Sequence, residues 1–245
     1  RQNLSRKVTV TAGGTGAVTF TNTRNTGTGE IIKTWKDTNG KTIAASSNTA
    51  RNKQIYFRIK NADGKYITVS GTKYSGSYTF TGTSTTATSL YVDPDTGKFV
   101  VKNLPTGKYT VYEYGSPKGF TVNKASQTVT ITNGKTASVS FVNGEDSGTA
   151  QIKKVWEHKH DSSSTQASNS DIYFTIKNSS GTTIKATGKA GSYTYSASGS
   201  VSQFRLNSSN TFLVKSLPAG TYTVYEYGND GNGISYYTRK DLSQT

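Results

Sequence analysis

YTVYEYG occupies residues 109–115 and recurs unchanged at 222–228. Tyr, Val and Thr fill both copies, and each follows a Leu-Pro-x-Gly turn, at 104–107 and 217–220, so both read as strands entered from a tight turn. A strand sends alternate side chains to opposite faces. Tyr109, Val111 and Glu113 therefore share one face, and Thr110, Tyr112 and Tyr114 the other. If the valine face is the buried one, Glu113 is a carboxylic acid held in an apolar core, where burial disfavours its charged form and raises its pKa. Glu226 repeats the arrangement beside Tyr222 and Val224. A buried acid needs a partner or a task.

Working outward from each copy, the same companions appear. GEIIKTWKD at 29–37 is matched by AQIKKVWEH at 150–158, and IYFRIKN at 55–61 by IYFTIKN at 172–178. Alternation in the first pair places Ile31, Lys33 and Trp35 on one inward face, and Ile152, Lys154 and Trp156 on its counterpart. A lysine thus points inward in each copy, while Lys36 and Lys153 have the wrong face parity. SQTVTITNGKTASVSFVN at 126–143 mirrors SRKVTVTAGGTGAVTFTN at 5–22. Each reads as a hairpin whose closing strand carries Val, Phe and Asn on its apolar face: Val139, Phe141 and Asn143, or Val18, Phe20 and Asn22. Lys33 and Lys154 are 121 positions apart, as are Asn22 and Asn143, whereas Glu113 and Glu226 are 113 apart. A loop deletion in the second copy accounts for the difference.

This periodicity divides the chain. Residues 25–146 form a first domain and 147–245 a second that lacks its closing hairpin, while 1–24 are a closing hairpin belonging to a preceding or neighbouring repeat. Each domain has about a hundred residues, enough for its own core. The expected class is all-β.

Composition narrows the chemistry. The 245 residues include no cysteine, which excludes disulfides, thiol catalysis and thiolate metal sites. The net charge of +15 favours anionic partners, but the basic residues are scattered over strands and turns, so nucleic acid is not an expected partner. No apolar run is long enough to cross a bilayer as a helix, and the sequence reads as a mature or excised fragment without membrane insertion. His158 and His160, two histidines at a strand end, read as solvated rather than as the start of a metal site. The 93–97 stretch, DPDTG, has calcium-like spacing but reads first as a turn, and the glycines near Gly13 join strands. No cofactor or metal is expected, and no turnover site is found.

What remains is a constellation. An inward lysine on a first strand, an inward glutamate on a late strand and an inward asparagine on the last strand meet if first and last strands are neighbours. Burial lowers a lysine pKa and frees the neutral amine as a nucleophile. A protonated glutamic acid can polarise the asparagine carbonyl and relay protons, so that the amine attacks, ammonia leaves and an isopeptide bond remains.

Lys in K-x-W, Glu in YTVYEYG and Asn in the closing FVN resemble the collagen-adhesin B-type (Cna B-type) repeats and related pilin domains of Gram-positive surface proteins. The resemblance covers residues 29–245. It implies tandem immunoglobulin-like (prealbumin-like) β-sandwiches with self-catalysed Lys–Asn cross-links. Lys33 and Asn143 would join through Glu113; Lys154 and Glu226 would serve the second repeat. It further implies an extracellular structural stalk or fibre, in the cell wall or on the surface, rather than an enzyme. The alternative is a ligand-binding adhesin for a host matrix protein or glycan, with Tyr112, Tyr114, Tyr225 and Tyr227 as exposed contacts. For the unmatched ends two explanations stand. Either residues 1–24 complete the second repeat of a neighbouring copy, head to tail, bringing Asn22 to Lys154 and Glu226, or Asn22 belongs to a preceding repeat of a longer array.

Overall fold

The computed structural model describes residues 5–115, 117–156, 168–228 and 243–244. It is all-β among those residues, apart from a few single helical turns. The first ten strands are β1 (Thr26–Lys36), β2 (Thr42–Ile43), β3 (Tyr56–Asn61), β4 (Tyr66–Ser70), β5 (Ser77–Ser84), β6 (Lys98–Pro105), β7 (Gly107–Tyr114), β8 (Phe120–Val122), β9 (Ser126–Ile131) and β10 (Thr136–Glu145). They form one curled sheet in the order β8-β10-β1-β6-β5-β4-β3-β7-β9, with β2 paired to β1. The curl wraps a core of Ile31, Trp35, Phe57, Phe99, Val111, Val139 and Phe141.

Period-two patterning carries through to burial. In β1 each second residue is buried, from Gly27 through Ile31 and Lys33 to Trp35, and in β7 Tyr109, Val111 and Glu113 are buried in turn. The glycine that ends the motif is required by space and by backbone: Gly115 has φ +92°, and a Cβ there would lie 2.3 Å from the Gln54 carbonyl oxygen.

Two expectations about the 126–143 hairpin and its N-terminal counterpart are corrected. β9 and β10 do not pair with each other. β9 pairs with β7, at one end of the sheet order, and β10 runs parallel to β1 near the other end. The Thr132–Lys135 turn therefore carries the chain across the sandwich as an arch, since each strand gains more by joining a layer than by laddering with its neighbour. Residues 5–24 hold no strand at all: a turn closes with Gly14 donating to the Thr11 carbonyl, and Val8, Val10, Val18 and Phe20 stay exposed. Two isolated strands without a sheet to cover them have too little apolar contact to hold a ladder.

The later strands are β11 (Ser147–Lys153), β12 (Ile172–Asn178), β13 (Ala186–Lys189), β14 (Ser192–Tyr195), β15 (Thr211–Pro218), β16 (Tyr222–Gly228) and β17 (Ser243–Gln244). They form two smaller sheets, β11-β15-β14-β13 and β12-β16-β17, around a separate cluster of Ile172, Phe174, Ile176, Phe204, Phe212 and Val214. β12 lies against β16 as β3 lies against β7, with Phe174 opposite Glu226 and Phe57 opposite Glu113. In β16, however, burial does not alternate, and Tyr222, Val224 and Glu226 are only half-buried. Between the two cores sits Asp146. Its N–H donates to the Gly119 carbonyl, Thr121 donates to its carboxylate, and its carbonyl accepts from Ala219 N–H.

Candidate cross-linking site

Three neighbouring strands bring Lys33, Glu113 and Asn143 into one place. Parallel pairing of β1 with β10 sets Lys33 opposite Phe141 and Trp35 opposite Asn143. Lys33 and Asn143 are therefore diagonal neighbours on the same inward face, and β7 presents Glu113 from across the core. All three are buried, Lys33 to 3%, Glu113 to 6% and Asn143 to 0% exposure. Lys33 Nζ lies 2.9 Å from Glu113 Oε1, and Asn143 Nδ2 donates to the same oxygen at 3.1 Å. One carboxylate oxygen thus touches both the Lys33 amine and the Asn143 amide.

The cluster is under-satisfied. Glu113 Oε2 and Asn143 Oδ1 are buried without a hydrogen-bond partner, and Lys33 Nζ has its ion-pair contact to Glu113 Oε1 but no well-aligned hydrogen bond. Unpaired polar atoms in a core are costly. A half-turn of the Asn143 amide puts its carbonyl oxygen where Nδ2 stands, 3.1 Å from the Glu113 oxygen, in position to accept the acid proton. Burial lowers the Lys33 pKa to about 8 against the opposing pull of Glu113, and burial likewise raises that of Glu113. Both shifts move the pair toward its uncharged form, an amine beside a carboxylic acid. Trp35 forms one wall, with Lys33 Nζ 4.6 Å from its ring centre.

Sequence reading missed what holds that wall. Trp35 Nε1 donates to Asn52 Oδ1 at 2.8 Å, and Asn52 Nδ2 donates to the Pro94 carbonyl at 2.7 Å. The stretch before β3 had read as a plain polar loop. A polar residue placed there gives no periodic signal, and only a repeated Trp-to-Asn pairing exposes it: Trp156 Nε1 donates to Asn169 in the second cluster. The 93–97 segment is a turn, with the Asp93 carboxylate accepting from the N–H groups of Asp95 and Thr96. Its last residue, Gly97, accepts from Lys33 N–H at 2.8 Å, which anchors β1 beside its lysine.

The second constellation is partly assembled. Lys154 lies just beyond β11, its N–H held by the Asn210 carbonyl at 2.8 Å as Lys33 is by Gly97. Its Nζ donates to both Glu226 oxygens, at 3.1 and 3.2 Å, and sits 4.7 Å from the Trp156 ring centre. Both side chains keep some exposure, 19% and 11%. Asn22 is not brought to them; it is exposed. His158 and His160 fall outside the described residues. Tyr112, Tyr114, Tyr225 and Tyr227 are half-buried rather than exposed, and they pack across strands. Tyr56 stacks on Tyr114 and Tyr173 on Tyr227, with Arg58 over the first pair and Lys177 over Tyr225.

Against known proteins, residues 19–145, just over half the chain, match the family model of the SpaA prealbumin-like fold domain. The chain belongs to this family. The SpaA-type match includes Lys33, Glu113 and Asn143 and ends before Lys154. Among solved structures, the Bacillus anthracis TIE protein shares the fold at a TM-score of 0.50 and 18% identity, over 89% of this chain and 30% of that one. The GBS52 minor pilin of Streptococcus agalactiae aligns at TM-score 0.38 and 20% identity, over 55% of this chain and 49% of that one. A streptococcal ancillary pilin aligns at 0.37 and 18%, over 91% and 58%. The chain thus spans less than two thirds of each of these structures. No curated protein matches the sequence. No helix among the described residues is long and apolar enough to cross a membrane.

Proposed function

We propose that this SpaA-type chain is a structural stalk or fibre module of a Gram-positive cell-surface protein, built from two tandem prealbumin-like domains at 25–146 and 147–245. Its first domain is locked by a self-made isopeptide bond between Lys33 and Asn143. The observation that carries the reading is the buried cluster in which Glu113 Oε1 touches both the Lys33 amine and the Asn143 amide.

The reaction needs only these residues. The neutral Lys33 Nζ adds to Asn143 Cγ while the Glu113 acid donates a hydrogen bond to the amide oxygen. Glu113 then takes a proton from the new C–N centre and passes one to Nδ2, which leaves as ammonia. The fold supplies the proximity that makes so poor a leaving group tolerable. Each chain reacts once on itself, so this is no enzyme with an external substrate. In the fullest form of this reading the modules assemble head to tail outside the cell, with residues 1–24 of one copy closing the second domain of the next.

Intact-protein mass tests the proposal. The folded chain should weigh less than its sequence by at least one ammonia, and peptide mapping should recover residues 33 and 143 in a single branched peptide. Glu113→Ala should fold yet keep its full mass. Recovery of Lys33 and Asn143 as separate unmodified peptides from folded protein overturns the reading.

A further inference from the structure

We infer that Asn52 is a positioning residue for the Lys33–Asn143 bond: it ties the Trp35 indole, which walls the Lys33 amine, to the turn that holds the Lys33 backbone. This rests on the cross-linking chemistry proposed for that site.

A ring of contacts surrounds the lysine. Lys33 N–H donates to the Gly97 carbonyl at 2.8 Å. Gly97 closes the 93–97 turn, and a second carbonyl of that turn, from Pro94, accepts from Asn52 Nδ2 at 2.7 Å. Asn52 Oδ1 accepts from Trp35 Nε1 at 2.8 Å, and Trp35 stands two residues along β1 from Lys33, on the same inward face. The ring closes on the lysine through space, where Nζ lies 4.6 Å from the indole centre. Asn52 and Trp35 are buried to 0% and 1% exposure, so bulk water is no alternative partner for either. An indole N–H can only donate and a peptide carbonyl only accept, which fixes the orientation of the Asn52 amide between them.

A buried indole usually finds an acceptor for its N–H, so a single such bond is expected of any core. The second domain, however, repeats the whole ring. The chain has two tryptophans, each two residues after an inward lysine. Trp156 Nε1 donates to Asn169 Oδ1 at 3.1 Å, and Asn169 Nδ2 donates to the Asn207 carbonyl at 2.8 Å. Asn207 opens the turn whose last residue, Asn210, holds Lys154 N–H through its carbonyl at 2.8 Å. Lys154 Nζ again lies against its indole, 4.7 Å from the ring centre.

The two rings are built from different local structure. Asn52 ends a helical turn, Thr49–Asn52, whereas Asn169 begins a 3-10 turn, Asn169–Asp171. The lysine-holding turn is DPDTG at 93–97 in one domain and NSSN at 207–210 in the other. Both asparagines nevertheless stand three residues before Ile-Tyr-Phe, at Ile55 and Ile172. What persists across these differences is the link from indole to lysine turn, which the need for an acceptor does not explain. Holding an amine in place does explain it. The lysine side chain is a flexible four-carbon stem, and Glu113 holds its tip from one side. The indole, fixed by Asn52, closes another side, and reaction with Asn143 Cγ depends steeply on that placement.

Chain recovered unfolded and then refolded tests this, with the branched peptide joining Lys33 to Asn143 quantified against time. Asn52→Ala should slow bond formation by about tenfold to a hundredfold, the scale on which misplaced reacting groups lose rate. Trp35→Phe keeps an aromatic wall without the N–H and should slow it as well. Adding Asn52→Ala to Trp35→Phe should cost less than about twofold more, because both cut one link. Denaturant titration in the unlinkable Asn143→Ala background establishes which variants are folded, and in those, lost stability alone does not slow a step taken within the folded domain. Asn48→Ala is the control. Asn48 is a buried asparagine of the same segment that bonds the Ala44 carbonyl and Arg51 rather than Trp35, so its loss should lower stability and leave the rate unchanged. If Asn52→Ala does not fold, Trp35→Phe decides in its place, slowing supporting the role and a wild-type rate overturning it. A folded Asn52→Ala with the wild-type rate, full additivity in the double variant, or equal slowing by Asn48→Ala overturns the role of Asn52 and leaves the cross-link standing. Wild-type chain that yields no branched peptide overturns both.

Discussion

The same three residue types meet two fates in this chain. Around Lys33 the lysine, acid and asparagine lie beneath a continuous sheet, dry and short of hydrogen-bond partners. Around Lys154 the lysine and acid satisfy each other at 3.1 and 3.2 Å and keep contact with solvent. Local sequence differs little between them, since K-x-W and YTVYEYG occur in both. The difference is a single neighbour, β10, present beside β1 and missing beside β11 among the described residues. One strand separates a half-exposed, mutually satisfied salt bridge from a buried pair with unpaired polar atoms beside it.

The strongest way to break that comparison is to remove the proposed bond from the closed site. Asn143→Ala should lower the unfolding free energy by about 5 kcal/mol, the value of a cross-link closing a loop of roughly 110 residues if the disulfide relation carries over. Asn22→Ala should leave the stability of the isolated monomer unchanged. Denaturant titration of both variants reads the contrast, and equal stabilities would remove the distinction between the sites.

Next in size is the packing of the two closing segments. Phe141→Ala should cost about 3–5 kcal/mol as a core truncation. Phe20→Ala in the monomer should stay within about 0.5 kcal/mol. Thermal melts of the monomeric protein check this, and a large effect of Phe20→Ala would mean that residues 5–22 are already packed.

Proton chemistry sharpens the comparison further. Between the raised pKa of Glu113 and the Lys33 value of about 8, the buried pair holds one proton. The reactive arrangement, with that proton on Glu113, keeps a constant share there. Above about pH 8 the acid has no proton to donate, and at the acid end the amine is protonated. Bond formation should therefore plateau between these limits and fall about tenfold per pH unit outside them. Chain recovered unfolded and refolded across a pH series, with ammonia loss followed by mass, measures this directly. In unlinked Asn143→Ala the sign of the lysine contribution is also set. The folded chain binds fewer protons than the unfolded one between about 8 and 10.5, so stability rises with pH there. Glu113 acts oppositely at acid pH, because its raised pKa makes the folded chain bind more protons.

The smallest effect belongs to the open pair. Lys154→Ala in the monomer should cost no more than about 1 kcal/mol, as half-exposed ion pairs do. A loss several times larger in denaturant titration would show that site to be closed already.

Much of this was legible in the sequence because strand periodicity reports faces. The inward positions of Lys33, Glu113 and Asn143 follow from counting by two from Ile31, Val111 and Phe141. Periodicity does not report partners, however, and so 126–143 read as a hairpin where the chain makes an arch. The Trp35–Asn52–Pro94 chain of hydrogen bonds was invisible for a related reason: it joins three segments that share no pattern and meet only in the folded core. The tyrosines on the outer face read as exposed because alternation cannot show that a cross-strand tyrosine and an arginine cover them.

The parallel run of β1 beside β10 has a mechanical meaning. The chain enters the first sandwich at Thr26 and leaves it at Glu145, so tension on a fibre would pull those two points apart and shear the two strands along their length. Without a tie, rupture would let the roughly 110 residues between Lys33 and Asn143 pay out, about 380 Å of slack at the full reach of an extended chain. With Lys33 bonded to Asn143, that length is hidden from the load, and only the few residues outside the tie can stretch. A pulled module of this kind is inextensible, and force–extension curves of the wild-type chain and Asn143→Ala should differ by that one step.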